Sequence, residues 1–332
     1  HNLKIPYLPN NKGFDFVHEG KFNQYWATHN VDGEPIEPAL INIPGYRLEV
    51  QTQSAVTFID KFKDEPFFYF LSYYAPHVPL DATEKYLSRF PGDMPERRRM
   101  CLAMVAAMDD GIGRIKETLR KNNIEDNTLI IFLSDNGAPL KLHKKDLPLS
   151  FKRGAWNGSL NDPYIGEKGM VSEGGIRVPA FIKAPNSAGA GQVSQSLLTI
   201  MDVLPTVMDI AGIEEVSVSA EGSAVLPIRG KSFAGLLTDS TQAIHGADEY
   251  IALDLGGVSV LMQGSWKIVR PARSNDWLLF DTSVDPSETK DLSSENPNLL
   301  AELAAKYEDH ATATGIMRTP FIEVGRVDPG GG

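Results

Sequence analysis

The sequence predicts an α/β fold in which a mostly parallel central sheet is flanked by helices, followed by a small C-terminal antiparallel sheet plus helix. Residues 129–133 form an apolar run, Leu-Ile-Ile-Phe-Leu, that is too short for a helix and ends at a glycine-containing turn, which is typical of a buried strand. A long helical pattern precedes this run. From about Glu249 the apolar residues alternate with period two, as in antiparallel strands. We therefore predict a larger domain over residues 1–245 and a small subdomain over residues 246–328.

The N-terminal half is predicted to build the first part of the central sheet. Residues 1–45 are rich in Pro, Gly and Asn, which indicates a long surface segment with little regular structure. Residues 46–62 and 97–121 carry apolar side chains at helical spacing. Residues 66–72 are apolar throughout most of their length and predict a second buried strand. Together with helix 97–121 and strand 128–134 they would make a right-handed βαβ unit.

The remaining elements complete the two predicted parts. A strand is expected over residues 178–183, and a helix over residues 196–211 that Pro205 interrupts. A closing helix is expected over residues 296–311. The short antiparallel strands between them are predicted at residues 250–253, 258–262, 266–269 and 277–280.

Composition excludes several classes of protein. A chain of 332 residues with 42% hydrophobic content can bury a sizeable core. Its net charge of −11 argues against nucleic acid as a partner, because phosphate binding needs a basic face. The single cysteine, Cys101, excludes an intrachain disulfide framework and a Cys-rich zinc site, and its apolar helical surroundings predict a buried thiol. No apolar stretch approaches the roughly 20 residues of a membrane span.

The strand over residues 128–134 ends in side chains that suit a metal ion. Ligands of open α/β sheets bind beyond the carboxyl ends of the strands, and here Asp135 and Asn136 follow directly. A carboxylate and an amide oxygen at one position are hard ligands of the kind that Ca²⁺ or Mg²⁺ prefers. The alternative is a plain Asx-Gly turn without a metal, and on this stretch alone the turn is the better interpretation.

A second, glycine-rich stretch changes that balance. It reads Gly-Glu-Lys-Gly-Met-Val-Ser-Glu-Gly-Gly-Ile-Arg-Val-Pro over residues 166–179 and carries Lys168. Together with Ser-Asp-Asn-Gly at 134–137 and Ala-Pro-His-Val-Pro at 75–79, it resembles the type I sulfatases, a branch of the alkaline phosphatase superfamily. The motifs occur in the order of that family, and the resemblance extends from His1 to about Leu292. It implies an alkaline phosphatase-like fold and the hydrolysis of sulfate esters.

The resemblance also implies roles for individual residues. Asp135 and Asn136 match two metal-binding positions, and the Asn favours Ca²⁺, with Mg²⁺ as the alternative, where phosphatase relatives carry a histidine. Lys168 matches the lysine that bridges a sulfate oxygen and the leaving oxygen. His77 matches the histidine beside the leaving group, a position for a general acid. His1 matches, more weakly, the last residue of a Gly-Lys-x-His element.

The substrate is expected to be an anionic sugar. Residues 138–165 lack periodicity and collect basic side chains, among them His143 and Arg153, which predicts a substrate-facing loop; a solvated basic surface is the alternative. The partner would be a sulfated small molecule or polysaccharide, and family resemblance implies a periplasmic or secreted protein. Glu173 and Arg177 are expected to brace the glycine-rich loop. Asn157-Gly158-Ser159 fits the glycosylation sequon, a match short enough to arise by chance.

One part of the family pattern is missing from these residues. Sulfatases make a formylglycine nucleophile from the Cys or Ser of a Cys/Ser-x-Pro-x-Arg motif, and Cys101 is followed by Leu-Ala-Met-Val instead. We therefore expect a fragment of a larger enzyme, with negligible turnover by itself and with apolar sheet surface exposed. The alternatives are a phosphodiesterase or phosphonate hydrolase of the same superfamily, and a non-catalytic binding relative.

Overall fold

The computed structural model describes residues 8–21, 23–140, 144–150, 155–187, 190–215, 222 and 224–316. By its internal contacts the chain divides into two compact units. The first comprises residues 1–130, 139–160 and 184–187, and the second comprises residues 131–138, 161–183 and 188–332. The predicted domain boundary after residue 245 remains a prediction.

The first unit begins with a three-stranded antiparallel sheet, so the prediction of little regular structure before residue 46 is wrong. The strands are β1 (His18–Lys21), β2 (Gln24–His29) and β3 (Pro35–Asn42). In β2 the side chains of Tyr25 and Ala27 are 2% and 0% exposed. The missed signals are the turns, because Asn23 and Gly33 both adopt positive φ at the hairpins that connect the strands.

The predicted helices of the first unit are confirmed. They are α1 (Arg47–Phe62) and α3 (Glu96–Lys121), with a short α2 (Glu84–Leu87) between them. Leu48 of α1 packs in one cluster with Tyr86 of α2 and Met104 of α3. Cys101 on α3 is 3% exposed, which confirms a buried thiol, and burial raises the pKa of that thiol.

Residues 66–72 are extended, but the predicted strand there is not formed, because the segment pairs with no strand in the described part of the chain. Phe67 and Tyr69 pack against Phe58, with ring centroids 5.4 and 4.7 Å apart. The alternate side chains, Phe68 and Phe70, are 60% and 70% exposed. A strand needs a hydrogen-bonded neighbour, so the βαβ unit is absent here, and the expected exposure of apolar surface is confirmed.

The second unit carries the strand that was central to the prediction. β4 (Ile130–Leu133) pairs with β5 (Ala180–Lys183) in a two-stranded sheet. Within the described residues, these two strands are the part of the predicted central sheet that is formed. The residues of β4 are half-buried, and Phe132 packs against Phe181, whose side chain is 67% exposed. The short helix α4 (Glu173–Ile176) lies in the chain just before β5.

The helix expected over residues 196–211 begins later than predicted. A 3₁₀ turn at Ile200–Asp202 leads into α5 (Val203–Ala211), and Thr199 and Asp202 form a capping box at its start. Pro205 lies in the first turn of α5. Backbone N–H groups in a first turn have no acceptor within the helix, so the missing N–H of proline costs no helical hydrogen bond there. The predicted interruption at this proline is therefore wrong.

The C-terminal sheet plus helix is confirmed. Its four antiparallel strands lie in the order β6-β7-β8-β9, and helix α6 packs against them. Their bounds are β6 (Ile251–Leu255), β7 (Val258–Gln263), β8 (Trp266–Arg270), β9 (Leu278–Asp281) and α6 (Pro297–Thr314). Among the residues that the structure describes, no helix is both long and apolar enough to cross a bilayer.

Candidate active site

Asp135 and Asn136, the predicted metal ligands, lie just after the end of β4, with side-chain oxygens that can reach an ion. Asp135 is exposed, and Asn136 beside it is half-buried. The Nδ2 of Asn136 donates to the carbonyl of Gly137 over 2.9 Å, which directs the amide group and leaves its Oδ1 for another partner. Ser134 Oγ donates to the carbonyl of Asn136 over 3.0 Å, so the turn is held by its own side chains.

The loop that carries Lys168 is shaped by glycines. Gly166 and Gly169 flank this stretch at φ of +89° and +87°, values that side chains with a Cβ rarely adopt. At Gly166 a Cβ would lie 1.8 Å from Ser172 Oγ, so the loop is also tightly packed there. The side chain of Lys168 is exposed, which leaves its ammonium accessible to an anion.

Backbone hydrogen bonds join this loop to the end of β4. The amide of Lys168 donates to the carbonyl of Ala138 over 3.2 Å, and the amide of Gly137 donates to the carbonyl of Gly175 over 2.9 Å. Gly137 has no room for a side chain, because a Cβ would lie 1.8 Å from Gly174 O. The structure therefore brings the predicted lysine segment and the predicted metal-ligand segment together within the second unit.

Asn161 reinforces this junction and was missed by the sequence reasoning. Its Nδ2 donates to the carbonyls of Ala138 and Gly166, both over 3.0 Å. Its Oδ1 accepts from the amide of Ala138 over 2.8 Å. One amide side chain thus fixes the chain after β4 against the start of the lysine loop. An asparagine in an aperiodic loop gives no local signal of such a role.

Asp135 and Asn136 fit a divalent cation as a partial ligand set. Their side-chain oxygens are hard donors, and within the described residues none of these oxygens accepts a hydrogen bond that would withhold it from a metal. A Ca²⁺ site takes about six to eight oxygens, and no group of three or more His, Cys, Asp or Glu side chains able to hold a metal occurs in the described residues. These residues alone would therefore bind the ion weakly.

His77 lies in the first unit, in the loop that follows residues 66–72. Its Nδ1 is 2.6 Å from the carbonyl of Val78 and 3.1 Å from the Tyr74 hydroxyl, which also donates to Val78. Because a carbonyl can only accept, Nδ1 carries the hydrogen and Nε2 is left for an outside group. The ring is exposed and packs 5.1 Å from the Tyr74 ring. The imidazole is oriented in the manner that a proton-transfer group requires.

Residues 144–150 and 155–160 lie in the first unit and are largely pinned to α3. Arg97, 2% exposed, donates to the carbonyls of Leu147, Pro148 and Trp156. Asn157 is 4% exposed and accepts from the amide of Ser159 over 3.0 Å, so it lies in the interior rather than on a glycosylated surface. Most of the basic side chains on which the prediction of a substrate-facing loop rests lie outside the described residues, so that prediction and its alternative, a solvated basic surface, both stay open.

Some predicted site residues fall outside the described residues, namely His1, His143 and Arg153. Glu173 and Arg177, which are expected to brace the glycine-rich loop, form an ion pair in which Arg177 Nη1 lies 3.4 Å from Glu173 Oε2. Sequence reasoning missed the stronger partner of Glu173, which is the buried Lys267 on β8, 2.8 Å away. That contact joins residues far apart in the chain, and no local pattern predicts it.

Comparison with known proteins settles the family. The family model for sulfatases matches residues 3–213. The chain belongs to the sulfatase family. It matches human N-acetylgalactosamine-6-sulfatase with 32% identity over 210 residues, covering 63% of this chain and 36% of that enzyme. The chain spans only part of the curated sulfatases that it matches, between 26% and 60% of the length of six of them.

Solved structures confirm the alkaline phosphatase-like α/β fold. The crystal structure of Ps i-CgsB superposes with a TM-score of 0.68 at 30% identity, covering 84% of this chain and 57% of that one. The same protein has been solved in complex with k-i-k-neocarrahexaose. A phosphonate monoester hydrolase from Silicibacter pomeroyi superposes with a TM-score of 0.56 at 18% identity, which shows a shared fold alone.

Proposed function

We propose that this sulfatase chain carries the sulfate-binding and part of the metal-binding machinery of a sulfuric ester hydrolase that acts on a sulfated carbohydrate. The observation that carries the proposal is the junction of the Lys168 loop with the end of β4, through the Lys168–Ala138 and Gly137–Gly175 hydrogen bonds. These hydrogen bonds hold the loop that carries the ammonium group of Lys168 beside Asp135 and Asn136. The two segments can come this close because glycines lie where they meet.

The chemistry of a sulfate monoester requires this kind of site. Cleavage of the S–O bond builds negative charge on the leaving oxygen, and a positioned cation stabilises that charge. Lys168 would contribute a compact positive charge on a side chain that is free to reach the ester. Asp135 and Asn136 would hold Ca²⁺, or alternatively Mg²⁺, and the bound ion would polarise the sulfuryl oxygens.

His77 would protonate the leaving oxygen. With Nδ1 bonded to the Val78 carbonyl, Nε2 is the nitrogen available to carry that proton. The nucleophile would be a formylglycine that these 332 residues do not encode, because they contain no Cys/Ser-x-Pro-x-Arg motif. Turnover is therefore assigned to a chain that includes such a motif, and we expect negligible turnover from residues 1–332 alone.

The names of the matched proteins support a carbohydrate substrate. N-acetylgalactosamine-6-sulfatase acts on a sugar sulfate by its name, and Ps i-CgsB binds a neocarrahexaose. Because the chain covers about a third of the first and just over half of the second, the substrate class is inferred and the individual ester is left open. Periplasmic location or secretion is part of the same proposal.

Replacement of Lys168 tests the proposal. In the gene product extended to include the nucleophile motif, Lys168→Ala should lower sulfate release by about a hundredfold or more, because a transition-state cation is lost. Lys116→Ala, which changes an exposed lysine on α3, is the matched control and should retain the wild-type rate. Equal rates in the two variants would remove Lys168 from the mechanism.

Metal analysis separates the proposal from its nearest alternative. A sulfatase that uses Asp135 and Asn136 should purify with Ca²⁺ or bind it stoichiometrically, and Asp135→Ala should lose it. Stoichiometric zinc or manganese would favour a phosphodiesterase or phosphonate hydrolase instead, since those metals prefer nitrogen ligands. A complete gene without a Cys/Ser-x-Pro-x-Arg motif would favour a non-catalytic binding relative.

A further inference from the structure

A buried ionic cluster lies behind the Lys168 loop in the second unit. Lys267 on β8 is 1% exposed, and its Nζ lies 2.8 Å from Glu173 Oε1 and 2.9 Å from Glu288 Oε1. The two carboxylate side chains are 9% and 4% exposed. Arg177, 3.4 Å from Glu173, adds a second positive charge at the outer side of the cluster. The charges therefore balance, as a buried cluster requires.

The ionic cluster contacts the chain next to the junction between the Lys168 loop and the end of β4. Glu173 opens α4 immediately after the Lys168 loop, and its backbone amide donates to Glu288 Oε2 over 2.7 Å. The next two residues form the junction itself. Gly174 donates to the carbonyl of Ile165, and Gly175 accepts from Gly137. Any displacement of Glu173 is therefore passed on to both the lysine loop and the end of β4.

Stability alone does not explain such a cluster, because well-packed apolar side chains of similar volume would stabilise the unit at least as well. Charged hydrogen-bonding groups add geometric specificity, because their hydrogen bonds are all satisfied in only one relative position of the side chains. We propose that Lys267 and Glu288 are positioning residues, through which the C-terminal sheet fixes Glu173 and thereby the geometry of Lys168 and Asp135. The inference deepens the proposed function and rests on it for its catalytic meaning.

Hydrogen exchange on the 332-residue chain tests the positioning directly and needs no turnover. In Lys267→Met, the amides of Gly137, Lys168 and Gly175 should exchange about tenfold faster than in the wild type, whereas the sheet amides of Leu261 and Ile268 should change less. Lys267→Arg keeps the charge and should restore most of the protection. Lys290→Met is the matched control, because Lys290 pairs with Glu295 at the surface.

Two outcomes would overturn the proposal. One is an equal increase at the loop and sheet amides, which would mean that Lys267 acts on global stability alone. The other is unchanged loop protection. If Lys267→Met does not fold, Glu288→Gln provides the same readout, since it keeps the side-chain shape and removes one charge. Its loop amides should again exchange faster than its sheet amides.

Kinetics in the extended sulfatase provide an independent readout. With p-nitrophenyl sulfate as the probe, Lys267→Met should lower kcat about tenfold or more and change KM less, because loop geometry matters most in the transition state. A loss confined to KM, or no loss at all, would contradict positioning. If the wild-type protein releases no sulfate either from this aryl ester or from sulfated oligosaccharides, the proposed function fails, whereas the exchange result stands by itself.

Discussion

The C-terminal sheet and the β4–β5 sheet lie in the same unit but differ in how completely they are covered. In the C-terminal sheet Val260, Leu261, Ile268 and Leu279 are all 0% exposed, and α6 packs on this core. In the β4–β5 sheet every residue of β4 is only half-buried, and Phe181 is 67% exposed. The covered sheet supplies stability, whereas the open sheet delivers the candidate catalytic groups at its end.

The largest effect is expected from truncating the covered core. Leu279→Ala should lower the free energy of unfolding by about 2–5 kcal/mol, since it removes packed methyl groups and leaves a cavity. Phe181→Ala, a larger truncation in the open sheet, should change it by no more than about 0.5 kcal/mol, because most of that ring already contacts water. Urea unfolding of both variants measures the contrast, and similar losses would show that the two sheets are equally covered.

An intermediate effect is expected where the open sheet meets the lysine loop. Gly137→Ala places a Cβ 1.8 Å from the carbonyl oxygen of Gly174, so one backbone must move. We expect a loss of about 1–3 kcal/mol, together with weaker Ca²⁺ binding in the extended enzyme. Gly113→Ala on α3 is the control, because a Cβ there meets no atom within 4 Å. Equal stability of the two variants would contradict the tight junction.

The smallest effect is expected from Asp202, which lies outside both sheets. Burial opposes its charge, but hydrogen bonds from His245 and from the amides of Lys231 and Thr199 hold the pKa of Asp202 below its ordinary value of 3.8. Its contribution to stability is therefore present above about pH 4 and is lost as the pH falls through the lower native pKa. Asp202→Asn should lower the free energy of unfolding by about 1–2 kcal/mol at pH 7. It should also make that free energy depend less on pH in the acid range, the acid limb of the stability curve. An unchanged acid limb would contradict the assignment.

The sequence predicted best what is encoded locally. The spacing of apolar residues located α1, α3 and the C-terminal strands, and three short motifs led to the sulfatase family. It predicted poorly what depends on partners. Residues 66–72 are apolar along most of their length and their side chains alternate between half-buried and exposed, yet a strand forms only beside another strand. In β1–β3, hairpin turns at Asn23 and Gly33 outweighed a composition that suggested a loop.

The candidate site divides in the same way. Asp135, Asn136 and Lys168 could be named because each stands in a recognisable motif. Asn161 and Lys267 could not, because their roles consist of contacts with residues distant in sequence. Supporting groups of this kind become visible once the backbone is in place, and they decide whether the named residues meet.

The interior position of Asn157 has a practical consequence for producing this protein. Oligosaccharide transfer to Asn-x-Ser acts on chains that are still unfolded, when this asparagine would be accessible. A glycan added then could not be accommodated beside Trp156 and Ser159, both less than a tenth exposed, and would keep the segment from closing on Arg97. Recombinant material should therefore come from a bacterial host, or from a eukaryotic one after the sequon has been removed.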